Sequence, residues 1–197
     1  MSDPTLDLGP QTRVIARLAE GVSDEQLADP TPCPDCAVRN MLGHLLGLSV
    51  AFRDAARKDL GVTTDTNPGA AAPDLDPDWR EALPKVLDEL AESWRDPAAW
   101  TGMTRAGGVD LPGEVAAVVA VDELVIHGWD LARATGQDYT PDPAALQASH
   151  DFLLAAANDP SRGGGIFGPV VPVPPRAPLL DRAVGLSGRD PGWARTP

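Results

Sequence analysis

The stretch Val121–Gly136, VDELVIHGWDLARATG, decides how this chain is read. As a helix it puts Glu123, His127 and Asp130 on one narrow stripe, because residues three and four apart are neighbours on a helix surface. Around that stripe the run is apolar: Ala116, Ala117, Val118, Val119, Ala120, Val121, Leu124, Val125, Ile126 and Leu131. A helix that is apolar nearly all round belongs inside a bundle. A carboxylate and an imidazole placed there cost on the order of several kcal/mol unless something satisfies them. A divalent cation would do so, with a third ligand from elsewhere in the chain.

The 197 residues suffice for a sizeable core. The expectation is a single domain over 1–197, a bundle over about 6–157 and a tail over 158–197. The net charge of −13 argues against nucleic acid or anionic membrane as a partner, since both require a positive surface. No apolar run approaches membrane-spanning length. The opening MSDPTLDLGP has neither the basic nor the hydrophobic region of a signal peptide. A cytoplasmic protein, monomer or homodimer, is the expectation. No internal repeat is present.

Helical periodicity recurs along the chain. Leu6–Leu18 reads as a first helix closed by Gly21, and Ser23 with Gln26 forms a capping-box pattern opening a short turn over Asp24–Ala28. Pro30, Pro32 and Pro34 exclude helix from DPTPCPD. Asp35 is the expected N-cap of a second helix running from Cys36 to about Asp59. On that helix His44 shares a face with Met41, Leu45, Leu48 and Phe52, so it points toward the core. Gly61–Asp78 is a long connection, and Trp79–Arg95 a third helix with Pro84 inside it. Pro97–Asp110 is a connection, partly extended, with no alternation strong enough for a sheet. Asp110 is a candidate cap for the central helix, Pro112 suits its first turn, and Gly136 ends it. Asp142–Ala157 is a further helix. The tail follows, with Ile166, Phe167, Val170, Val171 and Val173 laid over the core and a last short helix over Ala177–Leu186. The fold class is all-α.

His44, Glu123 and His127 would give three ligands and an open fourth position, the arrangement of catalytic zinc sites. From periodicity alone the alternative is a core histidine bonded to a carboxylate. Asp130 either orients a ligand from behind or forms a salt bridge, with Arg133 or Arg53 as the candidate partners. His150 stands alone beside Asp151 and reads as a surface residue without a role. Trp100 and Trp129 read as packing residues.

Three segments together carry a resemblance: TPCPDCAVRNMLGHLLG (Thr31–Gly47), PGEVAAVVAVDELVIHGWDLARATGQ (Pro112–Gln137), and FGPVVPVP followed by GRDPGW near the end. They resemble a family of uncharacterised metal-binding proteins related to the N-terminal domain of mycothiol-dependent maleylpyruvate isomerase, within the DinB-like superfamily. The resemblance implies a DinB-like four-helix bundle with additional short helices and an irregular C-terminal tail. It implies an interhelical divalent metal (zinc, nickel, iron or manganese) held by His44, Glu123 and His127. It further implies a low-molecular-weight thiol such as mycothiol, activated by the metal and used as a nucleophile on a small-molecule electrophile in an S-transfer or isomerisation. The alternative is a non-catalytic metal- or ligand-binding module serving as sensor, carrier or interaction partner. The related isomerase carries a further C-terminal domain where this chain has a short tail, which leaves the substrate open.

Cys33-Pro-Asp-Cys36 invites a redox reading, since a cysteine near a helix N-terminus is acidified. No βαβ pattern surrounds it, and members of the family commonly carry an aromatic residue at position 36. The other reading is a small residue filling a helix N-terminus, with the absent indole widening any adjoining pocket.

Overall fold

The computed structural model describes residues 6–34, 36–66, 75–158 and 168–195. Helices dominate: α1 Gly9–Glu20, α2 Val38–Arg57, the short α3 Val62–Asp65, α4 Trp79–Ser93, α5 Gly113–Thr135, α6 Pro143–Ala157 and α7 Leu179–Leu186. The fold is all-α in class and consistent with a DinB-like bundle. In cyclic order α1, α4, α2 and α5 each pack on two neighbours, α6 lies outside against α5, and α7 lies against α6. The shared core is built of Ile15, Leu18, Met41, Leu45, Leu83, Leu87, Leu90, Leu124, Val125 and Leu131, all at most 5% exposed. No helix among the described residues is long and apolar enough to cross a membrane.

Local chemistry sets the helix ends. The first helix starts at Gly9, three residues later than expected, because Asp7 Oδ1 takes the Gly9 N–H at 2.9 Å and Pro10 occupies the first turn. The expected cap at Asp35 lies outside the described residues. There α2 begins at Val38, and Asn40 Oδ1 takes the preceding Ala37 N–H at 3.1 Å. Asp142 caps α6, accepting from Ala144 and Ala145 N–H. Gly136 ends α5 in the left-handed region at φ 70°.

Two expectations fail between α4 and α5. A small antiparallel hairpin is present, β1 Met103–Ala106 and β2 Val109–Pro112, in register Met103↔Pro112 to Ala106↔Val109. Gly107 and Gly108 turn it at φ 60° and 79°, the positive values that tight hairpins demand. Asp110 is therefore no helix cap: its carboxylate accepts from Arg105 Nε at 2.7 Å across the hairpin. Thr104 Oγ1 donates to the Ala55 carbonyl at 2.6 Å, which docks the hairpin on the end of α2.

The tail is less of a core cover than expected. Ile166 and Phe167 lie outside the described residues, and Val170 is 40% exposed. Val171 N–H donates to the Gly185 carbonyl at 2.9 Å, so this segment lies on α7. Beyond α7 the chain returns to the bundle, where Arg133 Nη2 donates to the Trp193 carbonyl at 2.7 Å and Arg195 pairs with Asp29.

The start of α5 is pressed against the Pro97–Trp100 turn. A Cβ on Gly113 would lie 2.2 Å from the Ala99 carbonyl oxygen and 2.9 Å from the Trp100 carbonyl carbon, both backbone. Gly113→Ala is expected to destabilise the protein by about 1–3 kcal/mol through forced backbone displacement, read as a lower urea midpoint at unchanged m. An unchanged midpoint would contradict this packing.

Candidate metal centre

Two helices supply the site. On α2 the residues Met41, Leu45 and Leu48 anchor one face in the core, which turns His44 toward α5. On α5 the four-residue step from Glu123 to His127 puts their side chains one above the other. Glu123 Oε2 then lies 3.2 Å from His44 Nε2 and 2.9 Å from His127 Nε2. The two imidazoles meet edge to face, with centroids 4.7 Å apart at 84°. The three side chains are 22%, 19% and 13% exposed for His44, Glu123 and His127, so solvent reaches them at the rim of an apolar interior.

The three donor atoms all lie within 4.8 Å of one another, and theirs is the cluster of this kind among the described residues. A tetrahedral cation with bonds of about 2.1 Å spaces its donors roughly 3.4 Å apart. The observed spacing fits, and two imidazoles with one carboxylate suit a borderline divalent ion.

Behind His127 stands Asp130, 0% exposed. Its Oδ2 lies 3.0 Å from His127 Nδ1. Asp130 thus touches His127 and also forms a salt bridge, but with a cation other than the two expected. Arg189 clasps it through Nε at 3.0 and 3.1 Å and through Nη2 at 2.9 Å. Arg133 instead holds the tail carbonyls, and Arg53 pairs with Asp54 and Glu89. Arg189 belongs to the GRDPGW segment, whose arginine was the available signal for it.

The electrostatics follow from these contacts. Burial would raise the Glu123 carboxyl, but hydrogen bonds with His127 and His44 outweigh it and hold it below the ordinary range. Burial would lower His127, yet its bonds with Asp130 and Glu123 push it up to about 10. Burial also opposes the Asp130 charge, and the His127 and Arg189 contacts keep that carboxylate low. Carboxylates on both ring nitrogens favour positive charge at this imidazole, whether proton or metal.

A second buried acid was not foreseen. Asp122 faces α6, accepts from Ser149 Oγ at 2.7 Å, and is pushed up to about 7 by burial. Its signal was the all-round burial of α5, which requires a partner for every polar group on it. His150 is 7% exposed and so is no surface residue; burial of the α6 face removes its ring, while Asp151 Oδ1 lies 3.2 Å from Nδ1. Trp129 is 4% exposed, and Trp100 meets Trp94 edge to face at 5.6 Å, in keeping with packing roles.

Residues 8–132 match the family described as the mycothiol maleylpyruvate isomerase N-terminal domain. Two uncharacterised proteins of Mycobacterium tuberculosis, from strains CDC 1551 / Oshkosh and H37Rv, are each 25% identical over 177 residues, covering 89% of this chain and 91% of the relative. The crystal structure of the mycothiol-dependent maleylpyruvate isomerase superposes with a TM-score of 0.50 at 17% identity, over 74% of this chain and 66% of that one. A histidine-to-alanine mutant of that isomerase gives a TM-score of 0.50 at 16% identity, with the same coverage. The likeness concerns the fold, and the chain spans just under two thirds of the isomerase's length.

Arg189→Met strands the Asp130 charge in a dry site. It is expected to cost about 3–5 kcal/mol, measured by urea unfolding. Adding Asp130→Asn removes the stranded charge, so the double variant should be more stable than the sum of the two single losses implies. Strict additivity would contradict the coupling.

Proposed function

The chain belongs to the mycothiol maleylpyruvate isomerase N-terminal domain family, and on that premise we propose that it binds one divalent cation and acts on a low-molecular-weight thiol of the mycothiol type. The family supports a mycothiol-related function. The finer reading is a metal-dependent thiol S-transferase or isomerase, with His44, Glu123 and His127 as the ligands. The observation that carries it is the convergence of two imidazole Nε2 atoms on one carboxylate oxygen, at 3.2 and 2.9 Å, at the rim of an apolar bundle.

A bound divalent cation with an open position would lower the pKa of a ligating thiol and present it as thiolate, the nucleophilic form. The chain's own side chains prepare that site. Asp130, kept ionised by Arg189, accepts the Nδ1–H of His127 and so leaves the Nε2 lone pair facing inward. Glu123 contributes one negative charge and the imidazoles none, so a divalent ion keeps a net positive charge toward an anionic sulfur. No fourth protein donor joins the cluster among the described residues, which supports an open, reactive site over a closed structural one. The chain need supply no nucleophile, since the thiol brings it. The electrophile, transferred or isomerised, is a small molecule.

Purified protein, stripped and then titrated with zinc, nickel, iron(II) or manganese against a chelating indicator, is expected to take up one equivalent. His44→Ala and His127→Ala should abolish tight binding. Asp130→Asn should weaken it about 10–100-fold, as loss of a supporting hydrogen bond does. The loaded protein should then conjugate or isomerise electrophiles with mycothiol and not with unrelated thiols. Metal uptake without turnover with any thiol would favour the sensor or carrier alternative. Equal, negligible uptake by wild type and both histidine variants would overturn the metal reading.

A further inference from the structure

The turn that leads into α2 carries two thiols that the metal reading does not use. Thr31 ties the turn together: its Oγ1 accepts the Cys33 N–H at 3.2 Å and donates to the Cys36 carbonyl at 2.8 Å, and its N–H donates to that same carbonyl at 3.1 Å. The Cys36 N–H donates to the Cys33 carbonyl at 3.3 Å. That last bond brings the two residues together, with Cα atoms within about 7 Å, the separation over which a disulfide can close. Both cysteines are free and half-buried. The two thiols act on one another's protonation, the Arg189 charge acts on Cys33, and the Cys36 thiol donates to the Ala37 carbonyl at 3.6 Å. The pair therefore sits at the flank of the Asp130–Arg189 clasp.

We propose that Cys33 and Cys36 are a thiol–disulfide exchange pair acting on low-molecular-weight disulfides, with Cys33 the attacking sulfur and Cys36 the resolving one. The Cys33 thiolate attacks one sulfur of the small disulfide. The S–S bond breaks, one small thiolate leaves, and a mixed disulfide remains on Cys33. Cys36 gives its proton to that departing thiolate and attacks the Cys33 sulfur. The mixed disulfide breaks and the second small thiolate departs, taking from solvent the proton that Cys33 released on ionising. The small disulfide has been reduced to two thiols, and the pair oxidised to the Cys33–Cys36 disulfide.

The environment assigns the two roles. The neighbouring Cys36 thiol lowers Cys33 to about 6, with Arg189 helping and burial and Asp130 opposing. Cys36 is raised, first by the neighbouring Cys33 thiol, then by burial and by the Cys33 charge. Capping Cys33 removes both of its contributions, so the resolving thiol is released only after the first step. The exchange needs no cation at His44, Glu123 and His127.

Reduced full-length protein, exposed to hydroxyethyl disulfide and followed by intact mass, tests this. Wild type is expected to lose two hydrogens, keep no adduct and release two equivalents of mercaptoethanol. Cys36→Ser should accumulate one adduct on Cys33. Cys33→Ser should react about tenfold more slowly, reflecting its smaller thiolate fraction. Stable adducts on both cysteines of wild type, or equal rates for the two single variants, would overturn the proposal. Chelator-stripped and metal-loaded protein should behave alike, so failure here leaves the metal reading intact, and loss of the metal reading leaves this pair intact.

Discussion

A single carboxylate oxygen, Glu123 Oε2, lies between two imidazoles at the rim of an otherwise apolar bundle. Within α5 the Glu123 carboxylate meets His127, but His44 on α2 finds its carboxylate partner only across the helix interface. His44 without Glu123 would face greasy side chains, and Glu123 without the histidines would be a charge largely removed from water. An unpaired polar group in such a place costs on the order of several kcal/mol, a large part of the net stability of a domain this size. Registry between the two helices is therefore fixed by chemistry as well as by packing. Met41, Leu45 and Leu124 tolerate small shifts, whereas the 3.2 Å contact between His44 and Glu123 does not.

The remainder of the chain supports that contact from outside. Asp130 fixes the His127 ring, Arg189 fixes Asp130, and the segment after α7 is brought back across the bundle by Arg133 and Arg195. A short tail with little apolar burial thus has a defined position because its arginine completes an ion pair in a fully buried place. The Thr31–Cys36 turn lies on the same flank. His44, Glu123 and His127, Asp130 behind them, and the two thiols are consequently one neighbourhood assembled from three distant parts of the sequence.

Much of this was legible before any coordinates. The four-residue step from Glu123 to His127 and the inward face of α2 both follow from helical period, and that period is strong in both segments. The Asp130–Arg189 pair was only half legible. Asp130 is on the stripe, but nothing in periodicity links it to a residue 59 positions away, so Arg133, three residues on, and Arg53, on another helix, looked as good. The hairpin was missed because its strands are four residues long and lack alternation, although Gly107-Gly108 is a turn signal. Asp110 was misread as a cap for the same reason: its true partner, Arg105, is across that hairpin. The redox reading of Cys33 and Cys36 lacked the turn geometry and the neighbouring Arg189, neither of which spacing alone can supply.

Anomalous diffraction at the metal edge, from crystals grown with a stoichiometric divalent ion, bears most directly on the central claim. The expected result is one peak at about 2.0–2.2 Å from His44 Nε2, His127 Nε2 and a Glu123 carboxylate oxygen, with Asp130 still bonded to Arg189 and not ligating. A map without that peak, in which Glu123 remains hydrogen-bonded to both imidazoles, would contradict it.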